Sequence, residues 1–281
     1  MPFTLAHPLA VVPLRRLSPR VAVLSALVIG SNAPDYAYFL PVHIRRVDSH
    51  SLAGLFWFCL PAGLLVYALF HLVLKRPLLE LLPPALRVRL LSLPSARAGW
   101  PAAPLRAVLA SLLLGALTHI LWDSFTHVNG FAVMALPVLQ APALAIGPLA
   151  LPLYKLLQYV SSAAGMLLLA AMVWAWLART APVPDLEGPP ALRARMAVVA
   201  AIIAVASVVA LARAAGALSA PITALAMQQA VGRAFVGWVA ASASAALAYA
   251  LVWHARRRRA ARRAAPARTG RTRGQSGRPA C

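Results

Sequence analysis

The chain has 281 residues, of which 61% are hydrophobic and only 12% charged, with a mean hydropathy of +0.75. Soluble domains average about 25% charged residues, so the composition excludes an ordinary soluble enzyme and points to an integral membrane protein. The formal charge is +21, carried by 27 basic against six acidic residues. That surplus reads as membrane topology and contact with anionic lipid headgroups. Nucleic acid is a poor alternative partner, because the aromatic residues lie in the apolar spans and are not interleaved with the arginines.

The first fifty residues hold two apolar runs too short to span, Pro8–Arg16 and Val21–Ser31. Joined at Arg16–Arg20, they predict a helical hairpin, which returns the chain to its starting level and brings His7 near Asp35. Five later stretches reach the roughly 20 residues that a bilayer requires. They are Leu52–Leu74, Leu105–Phe125, Leu156–Ala178, Met196–Ala214 and Phe235–Trp253. The loops between them carry breakers: Lys75–Pro104 is basic and Pro-rich, Val128–Leu153 is neutral and Pro-rich, and Arg179–Arg195 holds four prolines. Ten arginines lie between Arg256 and Arg278. The expected fold is an all-α polytopic membrane helical bundle of about five transmembrane helices plus the N-terminal hairpin. Three regions follow: 1–51 as hairpin and ligand-bearing loops, 52–254 as the transmembrane domain, and 255–281 as a basic, disordered tail. The N-terminus lacks the layout of a cleaved signal peptide. Cys59 and Cys281 give no reason to expect a disulfide.

Orientation follows from the basic residues. The tail, Arg179–Arg195, Lys75–Pro104 and the hairpin turn fall on the cytoplasmic side of a bacterial plasma membrane. His7, Asp35, His50 and His127 fall on the other side. Arg45-Arg46 is the contrary signal.

The chemistry concentrates in Ser111-Leu-Leu-Leu-Gly115-Ala-Leu-Thr-His119-Ile-Leu-Trp-Asp123-Ser-Phe-Thr-His127. An ionisable group at the centre of a membrane helix costs about 2.5–3.5 kcal/mol on insertion scales, so three at four-residue spacing need a reason. Residues four apart on a helix differ by about 40° and 6 Å, which lets His119 and Asp123 bind one ion from adjacent turns. His127 is about 12 Å from His119 along the axis, out of reach of that ion if the helix stays regular. Ser111 and Gly115 continue the face with small side chains that admit a neighbouring helix. Further ligands sit at element termini: His7 before Pro8, Asp35 after Pro34, and His50 in Asp48-Ser49-His50-Ser51. His7, Asp35, His50, His119, Asp123 and His127 together offer four imidazoles and two carboxylates, the donors zinc prefers. Zinc lowers the pKa of a bound water to about 7, which would supply a nucleophile at the membrane surface. A purely structural polar contact between helices is the competing reading, and an ion- or proton-coupled transporter is a third.

The segments Pro2-Phe-Thr-Leu-Ala-His7-Pro8, Ser25-Ala-Leu-Val-Ile-Gly-Ser-Asn-Ala-Pro-Asp35, Ser49-His-Ser-Leu-Ala-Gly-Leu55 and Gly115-Ala-Leu-Thr-His119-Ile-Leu-Trp-Asp123-Ser-Phe-Thr-His127 resemble an uncharacterised family of bacterial membrane proteins, domain of unknown function 4184. The order His, Pro-Asp, His-Ser, His-x3-Asp is more distantly similar to membrane-bound metal-dependent hydrolases and to the zinc-dependent phospholipase C and P1 nuclease group. That similarity implies Asp35, His50, His119 and Asp123 as the main zinc site, with Asp35 and Asp123 as catalytic carboxylates. It also implies His7 leaning to a second ion through Asp123, and His127 to a third. The soluble enzymes add a later His-x3-Glu pair, which this chain lacks; Lys155 and Gln158 stand in that region. A full three-metal cluster is therefore not expected. The implied activity is hydrolysis of a phosphoester or lipid-linked substrate.

Overall fold

The computed structural model describes residues 4–17, 22–40, 44–93, 96, 99–100, 103–146, 149–185, 188–217 and 223–264. The tip of the expected hairpin at 18–20, His43, and the tail from 265 onward with Cys281 lie outside them. The described helices are α1 (Pro8–Leu17), α2 (Leu24–Gly30), α3 (Tyr36–Phe39), α4 (Arg46–Ser49), α5 (Leu52–Leu81), α6 (Pro84–Leu90), α7 (Leu105–Thr126), α8 (Phe131–Ala135), α9 (Pro137–Gln140), α10 (Leu153–Arg179), α11 (Leu192–Ala215) and α12 (Ala224–Ala264). The segments led by α5, α7, α10, α11 and α12 are long and apolar enough to cross a membrane. The fold is an all-α helical bundle, as the apolar runs predict.

The Pro-rich segment after α7 is not a plain loop. It folds as α8, α9 and a small antiparallel hairpin of β1 (Pro142–Ile146) and β2 (Leu149–Pro152). Phe131, Met134 and Val138 stand out from it largely exposed, as side chains do at a lipid interface. The C-terminal region also departs from the sequence expectation. α12 continues eleven residues past the expected end of the span at Trp253, to Ala264, where disorder was expected from 255. Alanine and arginine are both strong helix formers, and the arginine repulsion is relieved locally. Arg257 lies 3.4 Å from Glu80 and 4.6 Å over the Trp253 ring, while Trp253 donates to Glu80 at 2.6 Å.

Two turns of α5, Leu55–Cys59 and Phe70–Leu74, are widened to π-helical geometry. Each precedes a proline, Pro61 and Pro77. A proline lacks an N–H and crowds the carbonyl four residues back, here on Trp57 and Val73. Both of those residues lie in the widened turns, so α5 continues without breaking.

The core forms where α2 and α5 pack on α7. Tyr67, Leu112, Val108 and Ala26 make one buried cluster, and Leu55, Phe58, Cys59, Ala33 and Ala116 make another. The α2–α7 crossing is close enough to require glycine. A Cβ on Gly30 would stand 2.2 Å from the Leu112 carbonyl oxygen, and one on Gly115 would stand 2.4 Å from that of Leu27. The Val23 N–H is held by Ser111 Oγ at 3.0 Å just ahead of α2.

Gly30→Ala and Gly115→Ala should each lower thermal stability in detergent, by about 1–3 kcal/mol as for other overpacked sites. Gly232→Ala, where an added Cβ meets nothing within 4 Å, should leave the melting temperature unchanged or raise it. Equal responses at the three positions would contradict the close crossing.

Candidate metal centre

The end of α2 sets the first part of the site. The chain turns through Ser31-Asn32 into the tight turn Ala33–Asp35, where Pro34 presets the backbone. Asp35 emerges 4% exposed. His7 lies between the turn Thr4–Ala6 and α1, and its ring stacks on His119 with centroids 3.7 Å apart. The hairpin geometry thus sets His7 and Asp35 against the same histidine. His50 ends α4, just before Ser51 caps the start of α5 by accepting from the Gly54 N–H at 2.8 Å.

Hydrogen bonds fix the ring nitrogens. His119 Nδ1 lies 2.7 Å from the Ser31 carbonyl. A carbonyl only accepts, so Nδ1 carries a proton, and in the neutral ring that a metal requires Nε2 is the lone-pair nitrogen. His50 Nδ1 lies 3.1 Å from the Arg46 carbonyl and 2.9 Å from Ser49 Oγ, which fixes the same tautomer. Such anchoring of the second nitrogen is the usual support of a metal-ligating histidine.

The free nitrogens converge on carboxylates without hydrogen-bonding them. His50 Nε2 is 3.4 Å from Asp35 Oδ1 and 3.4 Å from Asp123 Oδ2. His119 Nε2 is 3.8 Å and 3.4 Å from the same two oxygens. Ligands about 2.0–2.1 Å from a tetrahedral ion stand about 3.3 Å from one another, which is close to these spacings. The Nε2 atoms of His7, His50 and His119 and Oδ1 of Asp123 are buried without a hydrogen-bond partner. Buried polar atoms are rarely left so, and an ion among them would satisfy several at once. Two overlapping groups have ligand atoms within 4.8 Å of each other: Asp35, His50 and His119, and His7, His119 and Asp123. The donor set of nitrogen and carboxylate oxygen fits zinc or a similar divalent ion. Burial, and next the neighbouring His119, lower the His7 ring to about 3, so it is neutral, as a ligand must be.

His127 lies just beyond the end of α7 and belongs to neither ligand group. α7 ends at Thr126, and His127 is extended with φ −125° and ψ 141°. Its Nδ1 lies 3.4 Å from Asp123 Oδ1, four residues back, and its Nε2 lies 3.3 Å from the Gln158 amide nitrogen. Both its nitrogens face protein groups beside the cluster. Asp123 thereby presents one oxygen to His50 and His119 and the other to His7, at 3.6 Å, and to His127.

Sequence reasoning missed Arg46. Its Nη2 donates to Asp123 Oδ2 at 2.5 Å, and it also hydrogen-bonds Tyr38, whose phenol burial pushes up to about 12. The only signal was its position: Arg45-Arg46 ran against the charge asymmetry that orients the rest of the chain. The Gln158 contact was also not foreseen, nor the Ser31 carbonyl.

Beside the cluster lies an apolar groove of about 440 Å³ lined by His7, Leu9, Thr118, Trp122, Ser162 and Gly165 among others. It opens between α1, α7 and α10, and α10 exposes Val160, Leu167 and Leu168 along its length.

Residues 1–253 match the family described as Domain of unknown function (DUF4184). The chain belongs to that family. No curated protein and no solved structure matches it. The matched region of this DUF4184 chain contains every residue of the cluster and stops before the arginine run.

If Arg46 and an added ion compensate the same carboxylate, Arg46→Met should destabilise the metal-free protein by about 1–3 kcal/mol, a buried-pair loss reduced for partial exposure. Added Zn²⁺ or Mn²⁺ should then raise the melting temperature of this variant more than that of the wild type. Equal metal shifts in the two proteins would contradict the shared role.

Proposed function

We propose that this protein is a membrane-embedded, metal-dependent hydrolase acting on a phosphoester or lipid-linked substrate, with zinc or a similar divalent ion held by Asp35, His50, His119 and Asp123. The observation that carries the reading is the convergence of buried, partnerless Nε2 atoms on two carboxylates while their Nδ1 atoms are anchored. A bound divalent ion supplies Lewis-acid activation of water and of the substrate oxygen. The protein residues do the rest. Ser31, Ser49 and the Arg46 carbonyl orient the rings. His7, neutral and lining the groove, adds a ligand. His127 and Gln158 steady Asp123. Arg46, partly exposed at the rim, offers a guanidinium that suits a phosphoryl oxygen. The apolar groove against His7 supports a substrate with a hydrocarbon chain.

Our reading puts the protein in a bacterial plasma membrane with its basic end in the cytoplasm. Arg195 and Arg256–Arg263 gather at the end of the bundle away from the cluster, as the positive-inside bias requires. Anionic headgroups are then the natural partners of that end.

One observation favours a second reading, a non-catalytic cluster that fixes helix packing: Arg46 already gives Asp123 a cation at 2.5 Å. Metal analysis separates the two. Protein purified in mild detergent without chelator should carry stoichiometric zinc, manganese or iron, and should hydrolyse a phospholipid or a bis-aryl phosphate. His119→Ala and Asp123→Ala should lose both metal and activity, while His71→Ala, outside the cluster, should keep them. Wild-type protein without stoichiometric metal after exposure to these ions would sink the hydrolase reading.

A further inference from the structure

The opposite end of the bundle holds a second polar site. Trp253 donates to Glu80, and His254 Nε2 lies 3.0 Å from the Val73 carbonyl. These contacts hold the arginine-rich end of α12 against the end of α5, the far end from the His/Asp cluster. A pocket of about 740 Å³ opens there between α5, α11, α12 and the 188–190 segment. Its floor includes Arg195, 7% exposed. Arg195 donates one nitrogen to the Leu82 carbonyl at 2.6 Å, and its Nε is buried with no hydrogen-bond partner. Arg256 and Arg257 line the same pocket, with Arg256 on the exposed rim.

The wall opposite is built, not loose. Arg87 pairs with Asp185 at 2.6 Å and reaches the Gly188 carbonyl at 3.4 Å. Gly188 takes φ +66°, a left-handed conformation that glycine adopts without penalty. Val183 N–H adds a bond to the Val88 carbonyl at 3.2 Å. Arg87 is itself buried and leaves its Nη1 without a partner. Among the described residues lining or bracing this pocket, Arg87, Arg195, Arg256 and Arg257 outnumber Glu80 and Asp185. Both carboxylates are already engaged by arginine. Among the described residues the site therefore carries a surplus of positive charge and an unused buried guanidinium N–H. Apolar Val198, Val252 and Leu81 share its lining.

We infer that this pocket binds the phosphate headgroup of an anionic membrane lipid, with Arg195 as the buried donor and Arg256 as the rim donor. Guanidinium groups match phosphate oxygens in geometry and charge. The apolar lining on membrane-spanning helices suits the lipid's first chain carbons. Zwitterionic lipid is disfavoured because its ammonium would meet the same arginines. The inference rests on neither the metal nor the hydrolysis.

The test is native mass spectrometry of the full chain in non-ionic detergent, titrated with phosphatidic acid or phosphatidylcholine. Wild type should bind phosphatidic acid about tenfold more tightly, the yield of one charge-assisted hydrogen bond. Arg195→Gln and Arg256→Gln should each remove most of that preference, and Arg262→Gln, outside the pocket, should keep it. If Arg195→Gln fails to fold, Arg256→Gln on the exposed rim carries the test. Equal binding of the two lipids, an Arg256→Gln variant that retains the preference, or an equal loss in Arg262→Gln would overturn the site. Competition by millimolar inorganic phosphate that abolishes lipid binding would overturn the lipid assignment in favour of a soluble phosphate.

Discussion

The crossing of α2 over α7 is the constraint on which the rest of the structure depends. At Gly30 and Gly115 the two backbones are too close for any side chain. That approach delivers the Ser31 carbonyl to His119 Nδ1 and starts the tight turn that presents Asp35. It also leaves room for α1 to lay His7 on the His119 ring. In a membrane such crossings gain little from hydrophobic burial, since lipid is equally apolar, and depend on close packing and polar contacts. Here the packing and the polar cluster are one arrangement, with Gly115 on the face of α7 that carries His119 and Asp123 and Gly30 of α2 packed against its Leu112 backbone.

The two ends of the bundle solve opposite electrostatic problems. One end buries carboxylates and imidazoles and has Arg46 as its guanidinium on Asp123. The other gathers guanidinium groups around Glu80 and Asp185. Each leaves buried polar atoms without partners, imidazole nitrogens at one end and arginine N–H groups at the other. The first set accepts electron-pair acceptors such as metal ions. The second donates to anions. An unpartnered buried polar group costs about 1–3 kcal/mol, so the pattern at each end is informative about the ligand chemistry it suits.

Much of this was readable from the residues. His119 and Asp123 share a face by spacing alone, and the small residues Ser111 and Gly115 marked where a neighbour would approach. His7 and Asp35 were linked because a hairpin returns the chain to its starting level. His127 meets Asp123, four residues back, at a spacing a helix allows, while its Gln158 partner comes from α10 and leaves no mark in the local sequence. Arg46 was hidden for a different reason. Charge counting along loops reports topology but not contacts, so a guanidinium that pairs within the site reads as a stray. The helical start of the tail was hidden likewise: an arginine run suggests repulsion, and the Glu80 and Trp253 partners that offset it lie in distant sequence and in the span before it.

We propose that the four atoms from Asp35, His50, His119 and Asp123 close around one ion. The visible absorption spectrum of protein loaded with Co²⁺ tests this most directly, because cobalt takes zinc's place and reports its coordination. The loaded protein should show the intense bands of four- or five-coordinate cobalt with nitrogen and oxygen ligands, lost in His119→Ala. A weak spectrum like that of octahedral aqueous cobalt, unchanged by the substitution, would contradict it.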